Sequence, residues 1–270
     1  MLCDAHIHVT EGKEAAMLAH MDRIGIDKAL LMAFDEEGTE SNFRLAARFP
    51  DRFLVDCNVE YTPFGELERT ILSFKERGAV GLGEFKVNRR IDDVYIQRVF
   101  AICQELDMPV TFHMSPEVGY SYGIVDEPGL PLLEASLKRF PRLTFIAHSQ
   151  SFWIEFASPA PRDREGRNSW GSGAVSEEGA VFRLMDSYGN LWCDLSAGSG
   201  SCAIMRDRGK GLDFIHRFSG RLLFGTDLTG PDMIFPLRDH LLGCLESGDL
   251  SKDEVEAIFH GNFERLFLRK

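Results

Sequence analysis

The sequence lacks the features that would direct the protein into a membrane or out of the cell. Its longest unbroken apolar runs, such as residues 29–34, are far too short to cross a bilayer. The first residues contain neither the cationic stretch nor the apolar stretch of a secretory signal. The six cysteines are scattered without a Cys-x-x-Cys spacing, which is typical of reduced thiols. We therefore expect a cytoplasmic protein with no membrane partner.

Positive charge is also scarce. The chain has 30 Lys and Arg against 42 Asp and Glu, which gives a net charge of −12. A protein that binds nucleic acid without sequence preference needs a cationic face, so this balance argues against nucleic acid as a partner. The Gly-x-Gly-x-x-Gly motif of dinucleotide-binding folds is missing after the first predicted strand. A small-molecule substrate is the expectation that remains.

Short β-rich segments alternate along the chain with longer segments of helical period. About eight strands are predicted, at residues 2–9, 28–34, 53–59, 79–87, 109–115, 143–149, 190–196 and 221–227. Strict alternation implies parallel strands joined by right-handed crossovers. A closed (β/α)8 barrel fits these units, and 270 residues suit one such barrel. We expect an α/β TIM barrel in which residues 1–270 form a single domain.

One connection is too long for a simple barrel loop. Residues 150–175 show no sustained period and follow a predicted strand, so we expect a long loop over the active-site face. Arg162, Arg164 and Arg167 in this loop are candidates for binding an anionic substrate. The alternatives are a solvated charged loop or a subunit contact, and a homodimer is left open.

Ionisable side chains fall near the carboxyl ends of several predicted strands. Because the parallel strands of a barrel point these ends at one mouth, the side chains should converge there. They are the four histidines His6, His8, His113 and His148 and the two acids Glu84 and Asp227. A packed core would leave such groups buried and unsatisfied. Gathered together, they supply the donors that one or two divalent ions require.

The first and fourth strands carry pairs of such residues. His6 and His8 lie two residues apart and so project from one face of the strand, where both can reach one ion. Asp4 shares that face one step deeper, and we expect it to accept a hydrogen bond from a ligating imidazole. Glu84 and Lys86 also share a face, for which a simple salt bridge is the alternative interpretation. Asp227 as a helix N-cap is the corresponding alternative at the last strand.

These motifs, in this order, resemble the metal-dependent amidohydrolase superfamily of (β/α)8 barrels. The branch they resemble most is the amidohydrolase-related one (amidohydrolase 2), which holds small hydrolases, lactonases and decarboxylases. The resemblance begins at Asp4-Ala5-His6-Ile7-His8 and continues to the end of the chain. It includes Pro109-Val110-Thr111-Phe112-His113, Ala147-His148-Ser149, Asn190-Leu191-Trp192-Cys193-Asp194-Leu195-Ser196, Phe224-Gly225-Thr226-Asp227 and Gly261-Asn262-Phe263-Glu264-Arg265-Leu266.

The resemblance implies a ligand set. His6, His8 and Asp227 would bind the first metal with His113 as a further ligand, and His148 would bind a second metal or polarise the substrate. The fourth strand departs from the branch, which often has Gly-x-Lys-x-His where this chain has Gly83-Glu84-Phe85-Lys86-Val87-Asn88. Glu84 resembles the bridging Glu of deoxyribonuclease-type barrels, and a carbamate on Lys86 is the competing bridge. The metal count, one or two ions, therefore stays open.

The leading functional hypothesis is metal-dependent hydrolysis of a small ester, lactone, amide or phosphoester. Asp227 is predicted to take the proton of the attacking water. His148, or a second ion held by Glu84, His113 and His148, is predicted to stabilise the developing oxyanion. Nitrogen and oxygen donors allow zinc, manganese, iron or cobalt, with zinc favoured. The alternatives are a metal-dependent decarboxylase of an unsaturated or aromatic acid, a deoxyribonuclease-like hydrolase, and a catalytically silent barrel that binds a ligand.

Overall fold

The computed structural model describes residues 1–268, and parallel strands form the wall of a barrel in this part of the chain. The wall runs in the order β1 (Cys3–Ile7), β2 (Lys28–Leu31), β3 (Phe53–Cys57), β4 (Gly81–Phe85), β5 (Val110–Ser115), β7 (Phe145–His148), β10 (Leu191–Asp194) and β11 (Leu222–Leu223). Each strand pairs in parallel with its neighbour in this order. The predicted TIM barrel is confirmed, with strands at all eight predicted positions.

Hydrogen bonds between the first strand and the segment after β11 close the barrel. The Ala5 amide donates to the Phe224 carbonyl at 2.9 Å, and the Asp227 amide donates to the His6 carbonyl at 2.8 Å. The His8 amide continues the ladder to the Leu228 carbonyl at 2.8 Å. The last predicted strand, residues 221–227, is therefore regular over only two residues, yet its remainder still pairs with β1.

Helices follow the strands as the alternation predicts. The helices that cover the barrel and its ends are α1 (Glu14–Ile24), α2 (Glu36–Arg48), α3 (Leu67–Glu76), α4 (Val94–Glu105), α5 (Pro131–Arg139), α8 (Ala180–Ser187), α10 (Arg208–Phe218), α11 (Leu237–Glu246), α12 (Lys252–Glu256) and α13 (Asn262–Phe267). Side-chain caps begin several of them: Asp35 accepts the Gly38 amide at α2, and Asp93 accepts the Tyr95 amide at α4. Among residues 1–268, no helix combines the length and apolar character needed to span a bilayer.

The long connection after β7 is more ordered than the sequence predicts. It contains α6 (Gln150–Trp153), a 3-10 turn (Ile154–Phe156), β8 (Ala157–Ser158) paired antiparallel with β9 (Glu177–Glu178), and α7 (Arg164–Arg167). Phe152, Trp153 and Phe156 are buried in the main core. The connection is therefore packed against the core at its start, because the aromatic side chains are buried there.

The segment that follows β10 is helical. It forms helix α9 (Ala197–Met205). Its Gly and Ser residues suggest a loop, but they serve close packing instead: a Cβ on Gly200 would lie 2.6 Å from the Leu195 carbonyl carbon. Small residues are required there because the helix lies directly against the end of β10. One further short strand, β6 (Ile124–Val125), extends the sheet beside β5.

Helix α13 packs against the amino-terminal ends of the barrel strands. Its Phe263 and Phe267 belong to a compact cluster with side chains from inside the barrel, namely Cys3, Ala5, Leu30, Met32, Ile146, Trp192 and Leu223. Phe263 is 1% exposed. This apolar cluster fills the end of the barrel opposite the predicted metal ligands and leaves the carboxyl end for polar groups.

We expect Phe263→Ala to destabilise the protein by about 3–5 kcal/mol, because it removes a buried ring and leaves a cavity. Urea unfolding followed by circular dichroism measures the change. Leu268→Ala, at a half-exposed position on the same helix end, is the control and should cost no more than about 0.5 kcal/mol. Equal effects of the two substitutions would contradict the packing role of Phe263.

Candidate metal centre

Five strand ends deliver the predicted ligands to one mouth of the barrel. β1 carries His6 and leads into His8, β4 carries Glu84, β5 carries His113, β7 ends in His148, and Asp227 follows β11. All are buried except Asp227, whose side chain is 28% exposed. Asp227 also adopts a left-handed backbone conformation with φ of 59°, a strain that persists at functional sites. The structure therefore brings all six predicted ligands together.

Two overlapping triads of donor atoms stand out within this group. His6, His8 and Asp227 form one triad, and His6, Glu84 and His148 form the other; within each, the donor atoms all lie within 4.8 Å of one another. In the first triad, His6 Nε2 lies 3.2 Å from His8 Nε2. Asp227 Oδ1 lies 3.5 Å from both nitrogens. In the second, His148 Nε2 lies 3.8 Å from Glu84 Oε1.

The spacing and chemistry of the first triad fit a divalent ion. Donors about 2.1 Å from one tetrahedral ion lie about 3.4 Å apart, which the three measured separations approach. Imidazole nitrogens and carboxylate oxygens without thiolates suit zinc, manganese, iron or cobalt. The residues therefore fit the kind of metal that the sequence predicts.

Asp194, at the end of β10, orients two of the imidazoles. Its Oδ2 lies 2.7 Å from His6 Nδ1 and 3.2 Å from His148 Nδ1. Ser196 completes the arrangement: its Oγ donates to Asp194 Oδ2 at 2.8 Å and lies 3.0 Å from His148 Nδ1. Both imidazoles therefore turn Nε2 toward the cluster. The sequence analysis assigned no role to Asp194. The signal was available, because Asp194 is also a carboxylate at a strand end, which is how Asp227 was identified.

Asp4 does not have the predicted role. Its carboxylate accepts the amides of His6 and Thr226, each at 3.0 Å, and the Thr226 hydroxyl. It therefore joins the backbones of the first and last strands instead of orienting an imidazole. The register irregularity of β1 between Asp4 and Ile7 breaks the simple alternation from which the prediction was made. Burial raises the pKa of Asp4 to about 7.

Glu84 and Lys86 have separate environments. Glu84 enters the second triad, and its Oε1 lies 2.6 Å from His113 Nδ1. Lys86 lies at the rim, with Nζ 3.9 Å from Glu60 Oε2. A register irregularity between Leu82 and Phe85 precedes the pair. The alternative of a Glu84–Lys86 salt bridge is therefore wrong, since each side chain has another partner. The metal role of His113 stays a prediction, because neither of the two donor triads includes it.

Neighbouring charges in the cluster shift one another's pKa values toward the ionised forms. Burial alone would lower the pKa of His6, but the charges of Asp227 and Asp194 raise it to about 10. Burial opposes ionisation of Glu84, yet His113, His6 and His148 hold its pKa well below the usual range. The pKa values of Asp194 and Asp227 are likewise lowered against the effect of burial, chiefly by His6. Burial, with the charges of Glu84 and Asp227, raises the pKa of Tyr122 to about 12.

The arginines of the long connection do not converge on the cluster. Arg167 is buried and donates to the carbonyls of Pro116 and Asp126 at 2.8 and 2.9 Å. Arg164 pairs with Glu165 on the surface. Arg162 lines a separate surface cavity beside Glu155 and Glu178. Their expected role as a clamp for an anionic substrate therefore has no support from their contacts.

Comparisons with known proteins agree with this architecture. The sequence model of the family described as "Amidohydrolase" matches residues 4–269. No protein of curated function matches the sequence.

Several solved structures share the fold. An uncharacterised TIM-barrel protein from Bordetella bronchiseptica is 19% identical with a TM-score of 0.65, over 93% of this chain and 81% of that one. A probable 2-pyrone-4,6-dicarboxylic acid hydrolase from Acinetobacter baumannii, with citric acid bound, is 14% identical with a TM-score of 0.63, over 99% of each chain. A 5-carboxyvanillate decarboxylase from Novosphingobium aromaticivorans, complexed with manganese and a nitrobenzoic acid, is 14% identical with a TM-score of 0.60, over 100% and 96%.

We expect metal binding to release a proton. At about pH 8 the metal-free His6 imidazole is protonated, because its pKa is raised to about 10, and an ion must displace that proton from Nε2. The affinity for zinc should therefore increase as the pH rises toward that value. Calorimetric titration with zinc in buffers of different ionisation enthalpy measures the protons released.

Asp194→Asn is the matched variant, because it removes one of the charges that raise the pKa of His6. It should release fewer protons at the same pH. A binding enthalpy that is identical in all buffers would show that His6 is not displaced.

Proposed function

This chain belongs to the amidohydrolase family and is an enzyme of that superfamily, and from this premise we propose that it hydrolyses an ester, lactone, amide or phosphoester bond of a small molecule at a bound divalent metal. The observation that carries the proposal is the pair of donor triads that share His6. A structural salt-bridge network would not require four imidazoles around buried carboxylates.

We propose that one ion is bound per chain. The Nδ1 atom of His6 is held by Asp194, so only Nε2 is free to bind a metal. Both triads include His6 and therefore compete for one nitrogen. His6, His8 and Asp227 would hold the ion, and Glu84 and His148 would complete its surroundings. With a single ion neither Glu84 nor Lys86 would act as a bridge, and Glu84 is the one of the two that lies beside the ligands, with Oε2 3.8 Å from His8 Nε2. Zinc remains our favoured ion.

A divalent ion in this site would lower the pKa of a water toward about 7 and polarise the bond to be broken. Asp227 is ionised and reaches the rim of the mouth, so it is placed to accept the proton of the attacking water and to pass it to the leaving group. His148 Nε2 lies 3.8 Å from Asp227 Oδ2 and faces the same space. With Nδ1 held by Asp194 and Ser196, His148 directs Nε2 into this space, where its imidazolium form would donate the Nε2 proton in a hydrogen bond to the developing oxyanion.

Charge distribution favours hydrolysis over the alternatives. A decarboxylase must hold a carboxylate, which calls for a free cation beside the metal. Lys86 is paired with Glu60, and Arg164 and Arg167 are bound elsewhere. A decarboxylase is therefore our second candidate, supported by the fold it shares with solved decarboxylases. The net charge of −12 disfavours a nuclease.

The cysteines support a reducing compartment. All six are unpaired, and all but Cys202 are buried. We propose on this basis that the enzyme works in the cytoplasm.

We expect Asp227→Asn to lower kcat by about 10²–10⁴-fold, because the amide cannot accept the proton of the attacking water. Hydrolysis of a panel of esters, lactones and phosphoesters by the zinc-loaded enzyme provides the assay. His216→Gln is the control, since His216 lies on the surface beside Glu254, and it should leave kcat unchanged. Full activity of Asp227→Asn on a substrate that the wild type hydrolyses would refute the role of Asp227.

A further inference from the structure

Two aromatic rings contact imidazoles of the metal centre. The Phe34 ring stacks on His8 with centroids 4.2 Å apart and an angle of 2° between the planes. The Tyr122 ring contacts His113 with centroids 4.4 Å apart and with the two planes tilted by 46°. Both aromatic residues are largely exposed, Phe34 at 48% and Tyr122 at 56%. They therefore present apolar surface to the solvent at the place where a substrate must enter.

The loop that carries Tyr122 is held in place from several sides. Arg167 donates to the carbonyls of Pro116 and Asp126, which lie on either side of Tyr122 in the chain. The Asn88 side chain accepts the Gly119 amide and donates to the Gly123 carbonyl.

Gly123 brings this loop against the end of β5. It has φ of +118°, and a Cβ there would lie 2.6 Å from the Met114 carbonyl carbon and 3.0 Å from the His113 ring. Only glycine allows this approach. The position of Tyr122 over His113 is therefore fixed by the fold.

Phe34 is fixed in a similar way. The Ala33 amide donates to the Gly83 carbonyl at 3.0 Å, and the Asn58 side chain donates to the Ala33 carbonyl at 2.7 Å. On the other side, Asp35 caps helix α2. The chain is thus anchored immediately before and after Phe34, which holds an exposed ring against His8.

The charge beside this aromatic surface is balanced. Lys86 Nζ lies 5.7 Å from the centroid of the Phe34 ring and 3.9 Å from Glu60 Oε2. Both side chains are mostly buried, at 14% and 15% exposed. A carboxylate on the ligand would meet Glu60 as well as Lys86, so the surface favours a group without charge.

From these contacts we propose that Phe34 and Tyr122 form an aromatic clamp that binds a flat, uncharged ring of the substrate next to the scissile bond. The clamp deepens the proposed function and rests on it, since the metal centre would act on the bond that the clamp positions. The predicted substrate class is the aryl ester, aryl amide or aromatic lactone. A flat ring can stack against the two aromatic side chains and so gains binding affinity. A puckered ring of equal size cannot stack in this way.

Binding of hydroxamates to the zinc-loaded protein tests the clamp without turnover. Benzohydroxamate, cyclohexanecarbohydroxamate and 4-carboxybenzohydroxamate share a metal-chelating head and differ in the ring. We expect benzohydroxamate to bind about tenfold more tightly than each of the other two, measured by calorimetry. Phe34→Leu and Tyr122→Leu should each reduce that preference several-fold. Trp170→Leu, which removes another exposed aromatic ring, is the control and should retain it.

The possible outcomes distinguish failure of the clamp from failure of the proposed function. Equal affinities for the three hydroxamates in a protein that holds zinc would overturn the clamp and leave the metal centre standing. A preference for the carboxylated probe would also overturn it, in favour of an acidic substrate. A protein that takes up no zinc would overturn the proposed function and the clamp with it. A flat-ring preference lost in Phe34→Leu and Tyr122→Leu but not in Trp170→Leu supports the clamp.

Discussion

The hydrogen bonds that Asp194 makes to His6 and His148 determine how the whole centre is arranged. Each bond occupies Nδ1 and so leaves Nε2 as the nitrogen that faces the cluster. The orientation of the two triads, the single free nitrogen of His6 and the direction of His148 toward the substrate space all depend on this carboxylate. Ser196 supports it from the same strand end.

The fold makes such a concentration of charge possible by separating two ends of one barrel. The end near helix α13 is filled by apolar side chains, whereas the carboxyl end gathers ionisable groups. The pKa values of Glu84, Asp194 and Asp227 are all lowered there, so three carboxylates are gathered in a small volume. A divalent cation would relieve the repulsion among them. Asp4 contributes by joining the first and last strands directly beside the ligands.

Much of this arrangement could be predicted from strand ends alone. Because parallel barrel strands share one mouth, His6, His113, His148 and Asp227 could be grouped without any knowledge of their contacts. The same rule, applied to the end of β10, would have included Asp194. Which carboxylate bonds which imidazole could not be predicted, because these contacts join different strands and the pairing register of β1 and β4 is irregular. Helix α9 was not predicted because its glycines serve close packing, and the position of Tyr122 could not be predicted because its loop depends on Arg167 and Gly123.

The central claim is that His6, His8 and Asp227, with Glu84 and His148 beside them, form one binding site for a divalent metal at the mouth of the barrel. The most direct measurement is the metal content per chain, by plasma mass spectrometry, of protein purified without chelator and then dialysed against zinc or manganese. We predict one tightly held ion per chain, since both triads share the single free nitrogen of His6. A protein that retains no ion under these conditions would contradict it.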